Sequence, residues 1–154
     1  MSKRRTPYWT RTTAQAYGPS GVKGRSGESF FIKAFKAKGW KVVDHESGRK
    51  KQCNGVDVTL IKKDVVLTID IKTNLKENKS FAVEVQPDGW LYNTEKISEC
   101  ICHVDPVSRI YAIYPRKHMQ LYITEKRYYE TNRKFIYLDK EETEKLAFIK
   151  WYSV

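Results

Sequence analysis

Two runs of branched and apolar residues, separated by a three-residue turn, constrain this chain more than any other feature. The first holds Val56, Asp57, Val58, Thr59, Leu60 and Ile61; the second runs from Val65 to Thr73 through Leu67, Ile69, Asp70, Ile71 and Lys72. Both compositions favour strands. Lys62, Lys63 and Asp64 leave room only for a reversal, so the runs are expected to be antiparallel neighbours. Strand side chains alternate with a period of two. Asp70 and Lys72 therefore share one face of the second strand, while Leu67, Ile69 and Ile71 share the other. Folding the hairpin brings Asp57 towards Asp70.

A helix is expected from near Ser26, a plausible N-cap, to Gly39, a plausible terminator. Glu28 lies three, four and seven residues ahead of Phe31, Ile32 and Phe35, and so shares their apolar face. A lone carboxylate is costly there. If the helix packs on the face that carries Asp70, three carboxylates and one ammonium converge in an apolar setting. Like charges at close range raise carboxylate pKa values unless a cation joins them. A divalent ion supplies that charge, and all-oxygen ligands favour magnesium or manganese over zinc. Such an ion polarises a phosphoryl oxygen and helps to generate hydroxide. Lys72 then orients the attacking water or stabilises the charged transition state. An Asp-x-Lys pair alone reads as a surface ion pair. Asp57 within an apolar strand and Glu28 on an apolar helix face turn the reading towards catalysis, because several local rules break together.

Elsewhere, strands are expected at 40–43, 81–86, 100–104, 110–114 and 135–138, with 100–104 and 110–114 paired across Asp105 and Pro106. A short helix is expected within 90–99, and Asp139 is placed to cap a helix reaching Leu146. Cys100, Cys102 and His103 match no common structural zinc spacing, and the two cysteines read better as small residues on a strand. Trp151 and Tyr152 read as core or interface residues.

The chain has 154 residues, enough for one domain, assigned to 25–154. Residues 1–24 lack apolar periodicity and read as a basic arm with Lys3, Arg4, Arg5 and Arg11, and with Tyr8 and Trp9 available to stack on bases. Lys and Arg total 29 against 18 Asp and Glu, a formal net charge of +11. That excess points to a polyanionic partner. Lys23, Arg25, Arg49, Lys50 and Lys51 join the arm as candidates for phosphate contact. No apolar run approaches the ~20 residues that span a bilayer, so no membrane partner is expected. No apolar leader is visible, and three cysteines without framework spacing suit a reduced, intracellular setting.

A helix carrying Glu, an Asp strand, a turn and an (Asp/Glu)-x-Lys strand resemble the restriction-endonuclease-like PD-(D/E)xK superfamily. The resemblance covers about residues 24–86 and rests on Gly24, Arg25, Ser26, Gly27 and Glu28, on Gly55, Val56 and Asp57, and on residues 69–73. Val56 stands where the motif has proline, and Asp rather than Glu stands at position 70. The resemblance implies an α/β (α+β) fold with a central mixed sheet flanked by helices. It implies Asp57 and Asp70 as metal ligands, Lys72 as the catalytic lysine and Glu28 as an accessory acid and further ligand. The implied function is a magnesium- or manganese-dependent DNA endonuclease acting on duplex or branched DNA, similar to Holliday-junction resolvases and intron-encoded homing endonucleases of this fold. A homodimer is expected, because two sites would address two strands. The other readings are a nucleic-acid-binding module without catalysis and a ribonuclease.

Overall fold

The computed structural model describes the backbone of residues 19–45 and 55–154, and the side chains of those residues from Ser26 onward. The first helix, α1, spans Pro19–Ala37. It starts ahead of Ser26, with proline at the first helical position, where its missing N–H removes no hydrogen bond. Its C-terminus is closed by the chain's own backbone. Trp40 N–H donates to the Phe35 carbonyl at 3.1 Å and Gly39 N–H to that of Lys36 at 3.0 Å. Gly39 takes the left-handed conformation this closure needs, with φ of 88°. Trp40 then packs edge-on against Phe35 at 6.3 Å, which fixes where the next strand begins.

Among the described residues eight strands follow: β1 (Lys41–Asp44), β2 (Val58–Lys62), β3 (Val65–Lys72), β4 (Phe81–Glu84), β5 (Cys100–Asp105), β6 (Ile110–Pro115), β7 (Phe135–Leu138) and β8 (Lys150–Ser153). Between them lie α2 (Arg116–Glu125), a 3-10 turn (Tyr128–Thr131) and α3 (Lys140–Lys145). Asp139 caps α3 by accepting from Glu142 N–H at 2.9 Å. Six strands form a mixed sheet in the order β1-β2-β3-β5-β6-β8, and β4 and β7 form a separate antiparallel pair. The β2–β3 hairpin forms as the sequence predicts, with Val58 opposite Ile69 and Leu60 opposite Leu67. Among the described residues, the one parallel pairing joins β3 to β5 and sets Lys72 beside His103. The crossover that parallel strands require is supplied by residues 73–99, which include β4.

Two apolar clusters cover the two faces of the sheet. Phe31, Ala34 and Phe35 of α1 pack with Val58, Leu60, Ile69, Ile71, Val104 and Tyr111. On the opposite face, Ile101, Ala112 and Tyr114 pack with Phe81 and Val83 of β4, Ile136 and Leu138 of β7, and Met119 and Ile123 of α2. The helix therefore covers the Ile69 and Ile71 face, opposite to Asp70 and Lys72, and this corrects the expected packing. The physical reason is that Phe31 and Phe35 bury more apolar surface against Ile69 and Ile71 than a charged face offers. A second correction concerns residues 90–99, which form turns rather than a helix.

Candidate active site

Asp57 immediately precedes β2, and its own N–H donates to the Ile69 carbonyl at 2.9 Å. Its carboxylate Oδ2 accepts from the Ile71 N–H at 2.7 Å. The side chain is thus held across the end of β3, between the positions of Asp70 and Lys72. Asp70 is buried, and the Lys72 ammonium lies 3.3 Å from its Oδ2. The same oxygen is buried and receives no hydrogen bond, so the lysine neutralises its charge without aiming an N–H at it. A buried carboxylate oxygen with no donor is an acceptor awaiting a partner.

Glu28 sits on the helix that covers the opposite face of the sheet, yet it is near enough for its charge to act on Asp57. Gly27 makes that approach possible. It is buried against Thr73 and Val104, and a Cβ there would collide with the Thr73 side chain. The helix can pass so close to the residue after Lys72 only because position 27 has no side chain. Burial holds the Asp57 carboxyl well above the usual carboxylate range, and the nearby charges of Asp70 and Glu28 push it further. Lys72 and the Ile71 N–H act in the opposite direction without cancelling that effect. Among the described residues, no three His, Cys, Asp or Glu side chains form a ready ligand cage. Asp57 and Asp70 meet at one strand end, with Glu28 alongside. Among the described residues, Cys100, Cys102 and His103 form no ligand group either. Cys102 points into the α1 cluster, whereas His103 lies on the opposite face, as strand alternation requires.

Several residues around the site escaped the sequence. His103 is fully buried, stacked on Phe81 at 4.0 Å and edge-on to Trp90 at 5.8 Å. The Asn74 amide donates to the Ala82 carbonyl at 3.1 Å, so its oxygen must face His103 Nδ1, 2.5 Å away. A carbonyl cannot donate, so Nδ1 carries the ring proton and Nε2 accepts from the Tyr114 hydroxyl at 2.7 Å. Burial, and then the charge on Lys72, hold His103 well below its ordinary pKa and hence neutral. Lys72 Nζ also lies 5.1 Å from the centre of the Trp90 ring, within cation–π range.

Trp90 is fixed in turn by Arg116. That buried guanidinium donates to the carbonyls of Trp90, Leu91 and Ser98 and to the Ser98 hydroxyl. These bonds tie both ends of the 90–99 turns to one side chain, through the carbonyls of Trp90, Leu91 and Ser98. The signal was faint: a histidine and an arginine at ordinary strand and helix positions, whose neighbours are set by the β3–β5 pairing.

The expected phosphate contacts Lys3, Arg4, Arg5, Arg11, Arg49, Lys50 and Lys51, and the side chains of Lys23 and Arg25, lie outside the described residues. Among the described residues, no helix is long and apolar enough to cross a membrane. No protein-family model matches this sequence, and no curated protein does. The solved structure of a bacterial homing endonuclease, I-Ssp6803I, is similar to this chain with a TM-score of 0.52 at 14% identity, over 79% of this chain and 76% of that one. The chain shares its fold with that endonuclease.

Proposed function

We propose that this chain is a metal-dependent DNA endonuclease of the PD-(D/E)xK kind. The observation that carries the reading is the end of β3. There a buried Asp70 oxygen without a hydrogen-bond donor, the Lys72 ammonium and the pinned Asp57 carboxylate meet. The shared fold with a bacterial homing endonuclease supports it.

Asp70 Oδ2 and the Asp57 carboxylate have the hard oxygen donors that suit magnesium or manganese, and Glu28 adds negative charge beside them. When bound, such an ion would supply Lewis-acid polarisation of a phosphodiester and a lowered pKa for water. The chain's own residues do the rest. Ile71 N–H fixes the direction of Asp57. Lys72, held between Asp70 and the Trp90 ring, presents an ammonium where negative charge develops on the transferred phosphoryl group. Neutral His103 and its partners give that lysine a rigid floor without competing for its proton. Glu28 acts as an accessory acid next to Asp57. The +11 net charge provides the long-range attraction to a polyanion. A homodimer would set one site against each strand of a duplex.

The test is to incubate plasmid, branched DNA and RNA side by side, with and without magnesium. Cleavage of either DNA only when magnesium is present is expected. RNA cleavage alone, or none of the three, contradicts the proposal.

A further inference from the structure

The β4–β7 pair has an outer face that the site does not use. Along β7, Ile136 and Leu138 point into the core while Phe135 and Tyr137 point out, exposed by 42% and 53%. Tyr137 stands opposite Ala82 in the register, and its hydroxyl is hydrogen-bonded to that of Ser80, just ahead of the partner strand. The ring is thus laid across a small residue and held at both ends, with one broad surface open to solvent. Phe135 stands opposite Glu84, a buried residue whose carboxylate packs against Gly89. The Lys134 ammonium lies 5.6 Å from the Phe135 ring, and Arg133 beside it is exposed.

We propose that this face is a stacking platform for unpaired nucleotides near the end of β3. Two observations select that occupant. The first is chemical: open aromatic surfaces flanked by cations match the alternating bases and phosphates of a single strand. The second is spacing. Tyr137 and Phe135 are two residues apart on a strand, about 6.8 Å. Bases in a duplex rise ~3.4 Å per step, so two bases resting on these rings are unstacked from each other. A duplex, whose base faces are covered, has little to offer such a platform.

The platform is tied to the site by Asn74, two residues beyond Lys72, whose amide donates to the Ala82 carbonyl at 3.1 Å. Two residues of extended chain span about 7 Å. Tyr137 therefore lies within a few nucleotides of Lys72. The face takes from the cleavage reading only that the chain handles nucleic acid.

The experiment measures binding of a single-stranded oligonucleotide carrying 2-aminopurine, and of its duplex, by wild-type protein, Tyr137→Ala, Tyr137→Phe and Phe135→Ala in metal-free buffer. Folding is verified by circular dichroism and mass by light scattering. Stacking quenches the probe. Tyr137→Ala is expected to lose the quenching and to weaken single-strand binding on the order of tenfold, with duplex binding nearly unchanged. Phe135→Ala should do the same to a smaller degree, and Tyr137→Phe should bind as wild type does.

Equal single-strand affinity for wild type and Tyr137→Ala overturns the proposal. So does a loss shared equally by single strand and duplex, or a fall in oligomer mass without a change in binding, which would make the face a contact between copies. Cleavage by wild type is assayed separately. Stacking without cleavage would contradict the nuclease reading and leave this one standing, and the converse holds.

Discussion

The two faces of the six-stranded sheet solve different problems with the same strands. Towards α1, β3 presents Ile69 and Ile71 to Phe31, Ala34 and Phe35, and contact there is almost wholly apolar. Towards β4, the same strand presents Asp70 and Lys72, and its neighbours contribute His103 and Tyr114 with Arg116 behind them. The first face stabilises by removing hydrocarbon from water and tolerates rearrangement. The second arranges charges and hydrogen bonds in which each polar group has a fixed partner, except the Asp70 oxygen. That contrast separates a face for stability from a face for chemistry, and substitutions can break it.

The largest effect is expected on the apolar face. Phe31 is fully buried, so Phe31→Ala should destabilise the fold by about 3–5 kcal/mol, read from the urea midpoint. Turnover per folded molecule should be nearly unchanged. A fall in turnover beyond the loss of folded protein would show that the faces are not separable.

On the other face the balance reverses. Lys72→Ala should lower turnover at saturating metal by roughly 10²–10³. Metal affinity should barely change, whereas the metal-free protein should lose stability, because the buried Asp70 carboxylate is left without the ammonium that neutralises it. A variant that loses stability and keeps its rate would make Lys72 a structural partner of Asp70.

Tyr114→Phe probes the floor beneath the lysine. It leaves the buried His103 Nε2 without its donor, a loss of about 1–3 kcal/mol by thermal denaturation. A neutral result would mean that the His103 network carries no strain when cut.

The smallest effect has the opposite sign. Burial and like charges raise the Asp57 pKa in the folded chain above its unfolded value. Between those two values the folded state holds more protons, so the metal-free protein loses stability as pH rises through that window. Asp57→Asn removes the penalty and should stabilise the metal-free protein at neutral pH. It should also flatten the dependence of stability on pH across the acidic range. Destabilisation at neutral pH would show that Lys72 and the Ile71 N–H outweigh burial.

The same contrast explains what the sequence could disclose. The β2–β3 hairpin was legible because its alternation and its turn are local, and so were the Asp139 cap and the β5–β6 pair. Asp57, Asp70 and Lys72 stood out because they break an apolar pattern. The side on which α1 packs was not legible, since Glu28 and Phe31 share a stripe and only tertiary packing decides which face it meets. His103 gave no sign of its role because a parallel neighbour separated by residues 73–99 cannot be read from local periodicity. The start of α1 was hidden because Ser26 resembles a cap, yet Ser and Gly are tolerated within a helix when packing compensates for their weak propensity.

The central claim is that the β3 end is a metal-dependent cleavage site, and Asp70→Asn tests it most directly. Plasmid nicking and linearisation should be followed against magnesium concentration for wild type and variant, with DNA binding measured in parallel. The account predicts magnesium-dependent cleavage by wild type and none by Asp70→Asn, whose DNA binding is retained or improved because one charge repelling phosphate is gone. Cleavage by Asp70→Asn at the wild-type rate, with magnesium in excess, would contradict it.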